Sequence, residues 1–292
     1  MRSHDLFGKV LPEEIASLPT VQIERNISVT PDSSVHVFEL SPLRTRQRDS
    51  SLLINFHGGG FIKGRQDKDQ VYCSHLVEKI GCLIWDVDYS LAPEAPFPTA
   101  VHEAYAIALY AYENAAELDI DPARIILLGH SAGGNLVASV CIRLAETKAF
   151  QPAGALMEYF PADLHTDPAI KPHIENDLAA ENARLYNSFY CPPEKTSSPF
   201  VSPLFASEQQ LTAFPDTLIL TAGYDSLRSE DEEFAMKLAR AGVAVTIKRF
   251  CRSSHGFTIN RNGEWADGIN LHYSFIAQHL AELSRKCSAP KS

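Results

Sequence analysis

The sequence predicts an α/β protein in which a mostly parallel central sheet is flanked by helices. Short apolar runs alternate along most of the 292 residues with longer stretches whose apolar residues recur at helical spacing. This alternation is typical of parallel strands that are connected by crossover helices. Hydrophobic residues make up 45% of the chain, which is enough for a sizeable core, and we expect residues 1–292 to form one domain.

Strands are predicted where a short apolar run lies between turn-forming residues. Eight segments fit this description: 21–29, 34–40, 52–56, 82–89, 124–128, 153–160, 217–222 and 244–250. Helices are predicted where apolar residues lie three and four positions apart. These segments are 69–80, which Gly81 is expected to end, 100–118, 133–146, 175–189, 230–240 and 265–283.

The segment 161–215 interrupts this alternation. It has no convincing strand and contains six prolines between Pro161 and Pro215, around the predicted helix 175–189. An insertion of this length in a compact domain usually forms a lid or a binding element, and we expect 161–215 to be a helical lid. Tyr186, Phe189 and Tyr190 are candidates for lining an apolar pocket under it. For any one of these aromatics, a place in the packed interior of the lid is the simpler expectation.

Charge and composition argue against several classes of partner. The chain has 36 acidic and 26 basic residues and no run of Lys or Arg, whereas nucleic acid and anionic membranes require a basic patch. No apolar segment approaches the roughly 20 residues that span a bilayer, and no signal peptide is visible. The six cysteines form no CxxC pair, so we expect a cytoplasmic protein with free thiols.

The motif Gly129-His130-Ser131-Ala132-Gly133 fits G-x-S-x-G and lies between a predicted strand and a predicted helix. Nucleophilic catalysis at this motif requires a sharp turn that lifts Ser131 out of the sheet, and small flanking residues permit that turn. The N-terminus of the helix also places amide hydrogens where an oxyanion develops. An unreactive serine in a glycine-rich turn is the alternative interpretation.

A second motif, His57-Gly58-Gly59-Gly60-Phe61, directly follows the predicted strand 52–56. Backbone without side chains can approach a substrate carbonyl closely, so the amides of Gly59 and Gly60, together with that of Ala132, are the predicted oxyanion hole. A mobile loop or a phosphate-binding turn is the alternative, but no Walker lysine follows and the chain lacks GxGxxG. His57 is expected to bond to the loop backbone rather than to act as a base.

A catalytic serine requires a base and a group that orients the base. His255 follows the predicted strand 244–250 in a loop with small neighbours, and Asp225 lies just beyond the strand 217–222. The order Ser131, Asp225, His255 is the order of an α/β-hydrolase triad, and these three residues are the predicted catalytic residues.

Other late histidines and acids compete for these assignments. His272 and His279 lie in the predicted closing helix, where we expect a partly solvated surface. Glu230 and Asp231 fall in the first turn of a predicted helix, where acidic residues are common because of the helix dipole.

Taken together, the motifs resemble those of the hormone-sensitive-lipase family of α/β hydrolases, which are mainly bacterial-type carboxylesterases. The resemblance covers residues 50 to 280 and includes a further signature in Asp88-Tyr-Ser-Leu-Ala-Pro-Glu94. It implies an α/β-hydrolase fold and an esterase that favours short acyl chains and uses no cofactor. One departure is His130, which stands where this family usually has an acidic residue.

The predicted function is therefore that of a serine carboxylesterase that forms an acyl-enzyme on a small-molecule ester. An amidase or peptidase that uses the same triad, and a ligand-binding protein on a hydrolase scaffold, are the alternatives. No HExxH or comparable cluster is present, so no metal site is expected. A homodimer through the closing helix is left open.

Overall fold

In the computed structural model, the described residues are 9–30, 33–43, 50–172, 174 and 180–288, with side chains up to residue 281. All eight predicted strands are present. They are β1 (Thr20–Thr30), β2 (Ser33–Pro42), β3 (Ser50–Phe56), β4 (Leu83–Asp88), β5 (Ile120–His130), β6 (Gly154–Glu158), β7 (Thr217–Tyr224) and β8 (Val245–Ser254). They form one sheet in the order β1-β2-β4-β3-β5-β6-β7-β8. Strand β2 pairs antiparallel with β1 and β4, and every other neighbouring pair is parallel, so the mostly parallel sheet is confirmed.

The helices follow the predicted pattern, with some differences at their ends. They are α1 (Pro12–Ala16), α2 (Asp67–Ile80), α3 (Thr99–Glu113), α4 (Ala132–Thr147), α5 (Ala180–Tyr190), α6 (Glu208–Leu211), α7 (Arg228–Arg240), α8 (Phe257–Asn260) and α9 (Trp265–Ser288). Gly81 ends α2 in the left-handed conformation, at a φ of 75°, as expected for a C-terminal glycine. The predicted helix 100–118 was too long, since α3 ends at Glu113. Residues 175–179 of the helix predicted over 175–189 lie outside the described residues.

Alternation along the central strands divides the core into two layers, because successive strand residues point to opposite faces of the sheet. Leu52, Ile54 and Phe56 of β3 belong to the apolar cluster that α3, α4 and α7 cover. Leu53, between them, belongs to the cluster that α2 and α9 cover on the other face. Parallel strands buried on both faces are continuous apolar runs, as the sequence of β3 is.

The order of the parallel strands brings the predicted motifs to one edge of the sheet. The glycine-rich loop follows β3, the serine follows β5, and Asp225 and His255 follow β7 and β8. The carboxyl ends of parallel strands meet at the same edge, where α/β proteins bind their ligands.

Within the described part of 161–215, the chain forms α5, α6 and short 3₁₀ turns, without a strand. Cys73, Cys82, Cys141 and Cys191 are buried free thiols and Cys251 is an exposed one. Among the described helices, none combines the length and the apolar character that crossing a membrane requires.

Candidate active site

The turn around Ser131 is forced by the close approach of α4 to the sheet. A β-carbon at Gly133 would lie 1.8 Å from the carbonyl oxygen of Phe56, and one at Gly129 would lie 2.4 Å from the backbone of Gly133. Ser131 between them has a φ of 53°, a strained value for a residue with a side chain. Its amide donates to the carbonyl of Glu158 on β6 over 2.9 Å. The serine side chain is thereby held at the edge of the sheet.

The structure brings the three predicted catalytic residues together. Nε2 of His255 lies 3.0 Å from Oγ of Ser131, and Nδ1 of His255 lies 2.9 Å from Oδ2 of Asp225. Asp225 is buried, and its other oxygen accepts the amide hydrogen of Leu227. A carboxylate at Nδ1 favours the tautomer with the proton on that nitrogen, which leaves a lone pair on Nε2 facing the serine hydroxyl.

The glycine-rich loop adopts a backbone that only glycine takes easily. Gly59 and Gly60 have φ values of 128° and 60°, and the amide of Lys63 closes the turn on the carbonyl of Gly59. Within the part of the chain that the structure describes, the amides of Gly59, Gly60 and Ala132 donate no hydrogen bond to protein groups. His57 is buried, with Nδ1 2.7 Å from the carbonyl oxygen of Gly58, in agreement with a contact to the loop backbone.

A second histidine–aspartate pair, which the sequence analysis missed, lines the same cavity as Ser131. His130 and Asp69 are both buried, with Nε2 of His130 3.1 Å from Oδ1 of Asp69. The same Nε2 lies 2.9 Å from the amide nitrogen of Gly58 at the start of the glycine-rich loop. Burial alone would raise the pKa of Asp69, but its contacts with His130 and with the amide of Gln66 hold that pKa below the ordinary value.

The competing acids, Glu230 and Asp231, are buried in the first turn of α7. The expectation that the helix dipole alone accounts for acidic residues at these positions was therefore wrong. Oε2 of Glu230 lies 2.5 Å from Nζ of Lys171, and burial raises the pKa of Glu230 to about 7 in spite of that lysine. Asp231 is fully buried, and neither of its carboxyl oxygens has a hydrogen-bond partner among the described residues. Burial and the neighbouring charge of Asp225 raise the pKa of Asp231 well above its ordinary value.

The expectation that His272 is partly solvated was also wrong. His272 is fully buried on the inner face of α9. Its Nδ1 lies 3.3 Å from the hydroxyl of Tyr72, and its Nε2 lies 3.4 Å from a carboxyl oxygen of Glu158. His279 is partly exposed and contacts the carbonyl of Phe275. Neither histidine lines the cavity at Ser131.

A cavity of about 400 Å³ opens at Ser131 and His255, between the glycine-rich loop and the segment 161–215. Tyr186 lines it and lies against Gly60, where a β-carbon would come within 2.8 Å of the tyrosine ring. Tyr190 is buried instead and stacks on Phe61 at 3.6 Å between ring centroids, whereas Phe189 is exposed. One of the three aromatic candidates therefore faces the cavity.

Among the described residues, no three His, Cys, Asp or Glu side chains are grouped so that they could hold a metal ion.

Comparison with known proteins shows similarity to α/β hydrolases. The sequence profile of a family described as having the alpha/beta hydrolase fold matches residues 53–259. An AB hydrolase superfamily protein of Schizosaccharomyces pombe is 37% identical over 66% of this chain and 59% of its own length. An arylesterase of Saccharolobus solfataricus is 30% identical over 74% of this chain and 71% of its own. The chain thus spans less than two thirds of the length of the S. pombe relative.

Further similarities reach the lipase named in the sequence analysis and a solved structure. Human hormone-sensitive lipase is 35% identical over 58% of this chain, in a region that makes up 15% of the human protein, and the predicted family resemblance is confirmed. The crystal structure of carboxyl esterase 2 from Tuber melanosporum superposes with a TM-score of 0.83 at 26% identity. The superposition covers 91% of this chain and 89% of the esterase.

Proposed function

The chain belongs to the α/β-hydrolase fold family, and on that basis we propose that it is a serine carboxylesterase acting on short-chain acyl esters. The observation that carries the proposal is the position of His255, which contacts Ser131 through one ring nitrogen and Asp225 through the other. This is the arrangement that activates a serine hydroxyl for attack on a carbonyl carbon. Relatives named as esterases support the same chemistry.

In the first step, Oγ of Ser131 attacks the ester carbonyl while Nε2 of His255 takes the hydroxyl proton. The carbonyl oxygen becomes an oxyanion, and the amides of Gly59, Gly60 and Ala132 are the proposed donors that stabilise it. These amides suit the purpose because no described protein group accepts their hydrogens. The imidazolium of His255, stabilised by Asp225, then protonates the departing alkoxide, and an acyl-enzyme on Ser131 remains.

The second step repeats the first with water as the nucleophile. His255 takes a proton from the water molecule as it attacks the acyl carbon, and returns it to Oγ of Ser131 as the carboxylic acid leaves. No cofactor or metal takes part in the proposed steps.

The preference for short acyl chains rests on the cavity. A volume of about 400 Å³ is near the lower end of the range for small-molecule sites. We propose that the segment 161–215 acts as the lid of this cavity, since Leu164, Lys171 and Tyr186 of that segment line it opposite Ser131. The single-domain organisation, a cytoplasmic location and a homodimer stay predictions.

Hydrolysis of p-nitrophenyl acetate, butyrate and longer esters tests the proposal, with Ser131→Ala beside the native protein. We expect turnover of the short esters that the alanine variant loses. Ser139→Ala is a matched control, because Ser139 is buried on α4, the helix that follows Ser131, and among the described residues its hydroxyl bonds only to the carbonyls of Asn135 and Phe200. Equal rates for native protein and Ser131→Ala would contradict the esterase assignment, and turnover of p-nitroanilides alone would favour an amidase.

A further inference from the structure

A second cavity of about 280 Å³ lies beside the first, on the side of α2, α8 and α9. Aromatic side chains line much of it, among them Trp265 and Tyr273. Lys68 and Ile259 line both cavities and form the wall between them. A ligand that extends past this wall from Ser131 would therefore meet the ammonium group of Lys68.

The charge of Lys68 is incompletely neutralised. Its ammonium donates a hydrogen bond to the neutral Oδ1 of Asn260 over 2.9 Å and forms no salt bridge with any carboxylate of the described residues. The adjacent Asp69 is engaged by His130 and by the amide of Gln66. Burial lowers the pKa of Lys68, and the nearby Lys63, which lines the first cavity, lowers it further against the attraction of Asp69. An anion bound beside Lys68 would stabilise the charged form of its side chain.

The position of Asn260 assigns Lys68 to one side of the substrate. A β-carbon at Gly256 would lie 2.6 Å from Nδ2 of Asn260, so the amide that binds Lys68 packs against the residue following His255. In ester hydrolysis the general acid must reach the leaving oxygen, and the alcohol part of the substrate therefore lies on the side of His255. Lys68 consequently faces the alcohol part rather than the acyl part.

We propose that Lys68 is a specificity-determining residue that binds a carboxylate on the alcohol part of the substrate ester. The proposal rests on the esterase function proposed above. A single ammonium matches a singly charged group, and the aromatic lining beyond Lys68 suits an aryl alcohol that carries it. The substrate class is thus acyl esters of hydroxy acids with an aromatic body.

Two matched esters test this assignment, 3-acetoxybenzoate and its neutral counterpart 3-acetoxybenzamide, which differ in charge but little in shape. We expect the native protein to show a kcat/KM about tenfold higher for the carboxylate, a typical effect of one charge-assisted hydrogen bond. Lys68→Met should remove that preference, so that the two esters have similar kcat/KM values, whereas Lys68→Arg should retain it. Lys148→Met, at an exposed lysine that lines neither cavity, is the control for the loss of one charge.

Binding of the two alcohol products, 3-hydroxybenzoate and 3-hydroxybenzamide, is measured by calorimetry on the same variants. Tighter binding of the hydroxybenzoate that Lys68→Met abolishes would support the site even if neither ester were hydrolysed, in which case the esterase function alone fails. Ser131-dependent hydrolysis of both esters with no preference, or an equal loss on both in Lys68→Met, would overturn the site and leave the esterase function standing.

Discussion

Two histidine–aspartate pairs line the cavity at Ser131, and their surroundings differ in two respects. In the first pair, Asp225 contacts Nδ1 of His255, which leaves Nε2 for the serine, and the His255 side chain is 34% exposed to the cavity. In the second pair, Asp69 contacts Nε2 of His130, whose side chain is only 5% exposed. That same Nε2 meets the amide of Gly58.

Orientation and exposure, not residue type, therefore distinguish His255, the proposed base, from His130. A base must present a ring nitrogen to the reacting hydroxyl, and of these two histidines it is His255 whose Nε2 contacts Oγ of Ser131. His130 is placed between α2 and the first residue of the glycine-rich loop, so it is a positioning residue.

Asp225→Asn has the largest expected effect. An amide at this position cannot hold the imidazole in the required tautomer or stabilise the imidazolium, so we expect kcat for p-nitrophenyl acetate to fall by about 10⁴-fold. Steady-state kinetics on the folded variant measures this loss. Glu103→Gln is the control, since Glu103 is a buried carboxylate whose hydrogen bonds within the described part of the chain go to Ser90. A loss of similar size in Asp69→Asn would contradict the separation of the two pairs.

His130→Leu has an intermediate expected effect, because it removes the side chain that meets the amide of Gly58. The glycine-rich loop would be held less firmly, and we expect kcat to fall by less than the roughly hundredfold loss that removing one oxyanion donor causes. KM should stay unchanged, since ground-state contacts are retained. His130→Gln, whose amide oxygen can accept the same hydrogen, should restore most of the rate. Failure of Gln to restore it, with both variants equally stable, would show that Gly58 needs no such partner.

Asp69→Asn is expected to affect stability more than turnover. Because the folded protein holds the pKa of Asp69 below its ordinary value, the stabilisation is present above that value of about 3.9 and is lost as the pH falls through the folded-state pKa. Asparagine cannot carry the negative charge that these contacts stabilise, so the native protein should exceed the variant in unfolding free energy at pH 7. Denaturant unfolding at several pH values measures the gap, which should close in acid. A gap that is constant with pH would contradict an ionised Asp69 carboxylate in the folded protein.

Asp231→Asn should change activity least and has the opposite pH dependence. The pKa of Asp231 is raised in the folded protein, so its stabilisation is present below the ordinary value of about 3.9 and is lost as the pH rises through the raised pKa. Asparagine removes this loss, so the variant should be the more stable protein at high pH. Thermal unfolding from pH 6 to 9 tests this, and a native protein that keeps its advantage at high pH would contradict it.

The strand ends explain why the predicted site residues could be found from the sequence. Ser131, Asp225 and His255 each follow a parallel strand, and such positions meet at one edge whatever the intervening chain does. Asp69 and His130 lie 61 positions apart and share no motif, so only the packing of α2 against the glycine-rich loop brings them together. The burial of His272, by contrast, could have been predicted, since it lies three residues after Ile269 and four before Ile276 on the apolar face of the closing helix.

Covalent trapping of the nucleophile tests the central claim most directly. The protein would be incubated with an alkyl fluorophosphonate, and its intact mass and the modified peptide would be measured for the native chain, Ser131→Ala, His255→Gln and His130→Gln. We predict one adduct on Ser131 in the native protein and in His130→Gln, slow labelling in His255→Gln, and none in Ser131→Ala. Labelling that persists in Ser131→Ala, or that depends on His130 rather than His255, would contradict the assignment of Ser131 and His255.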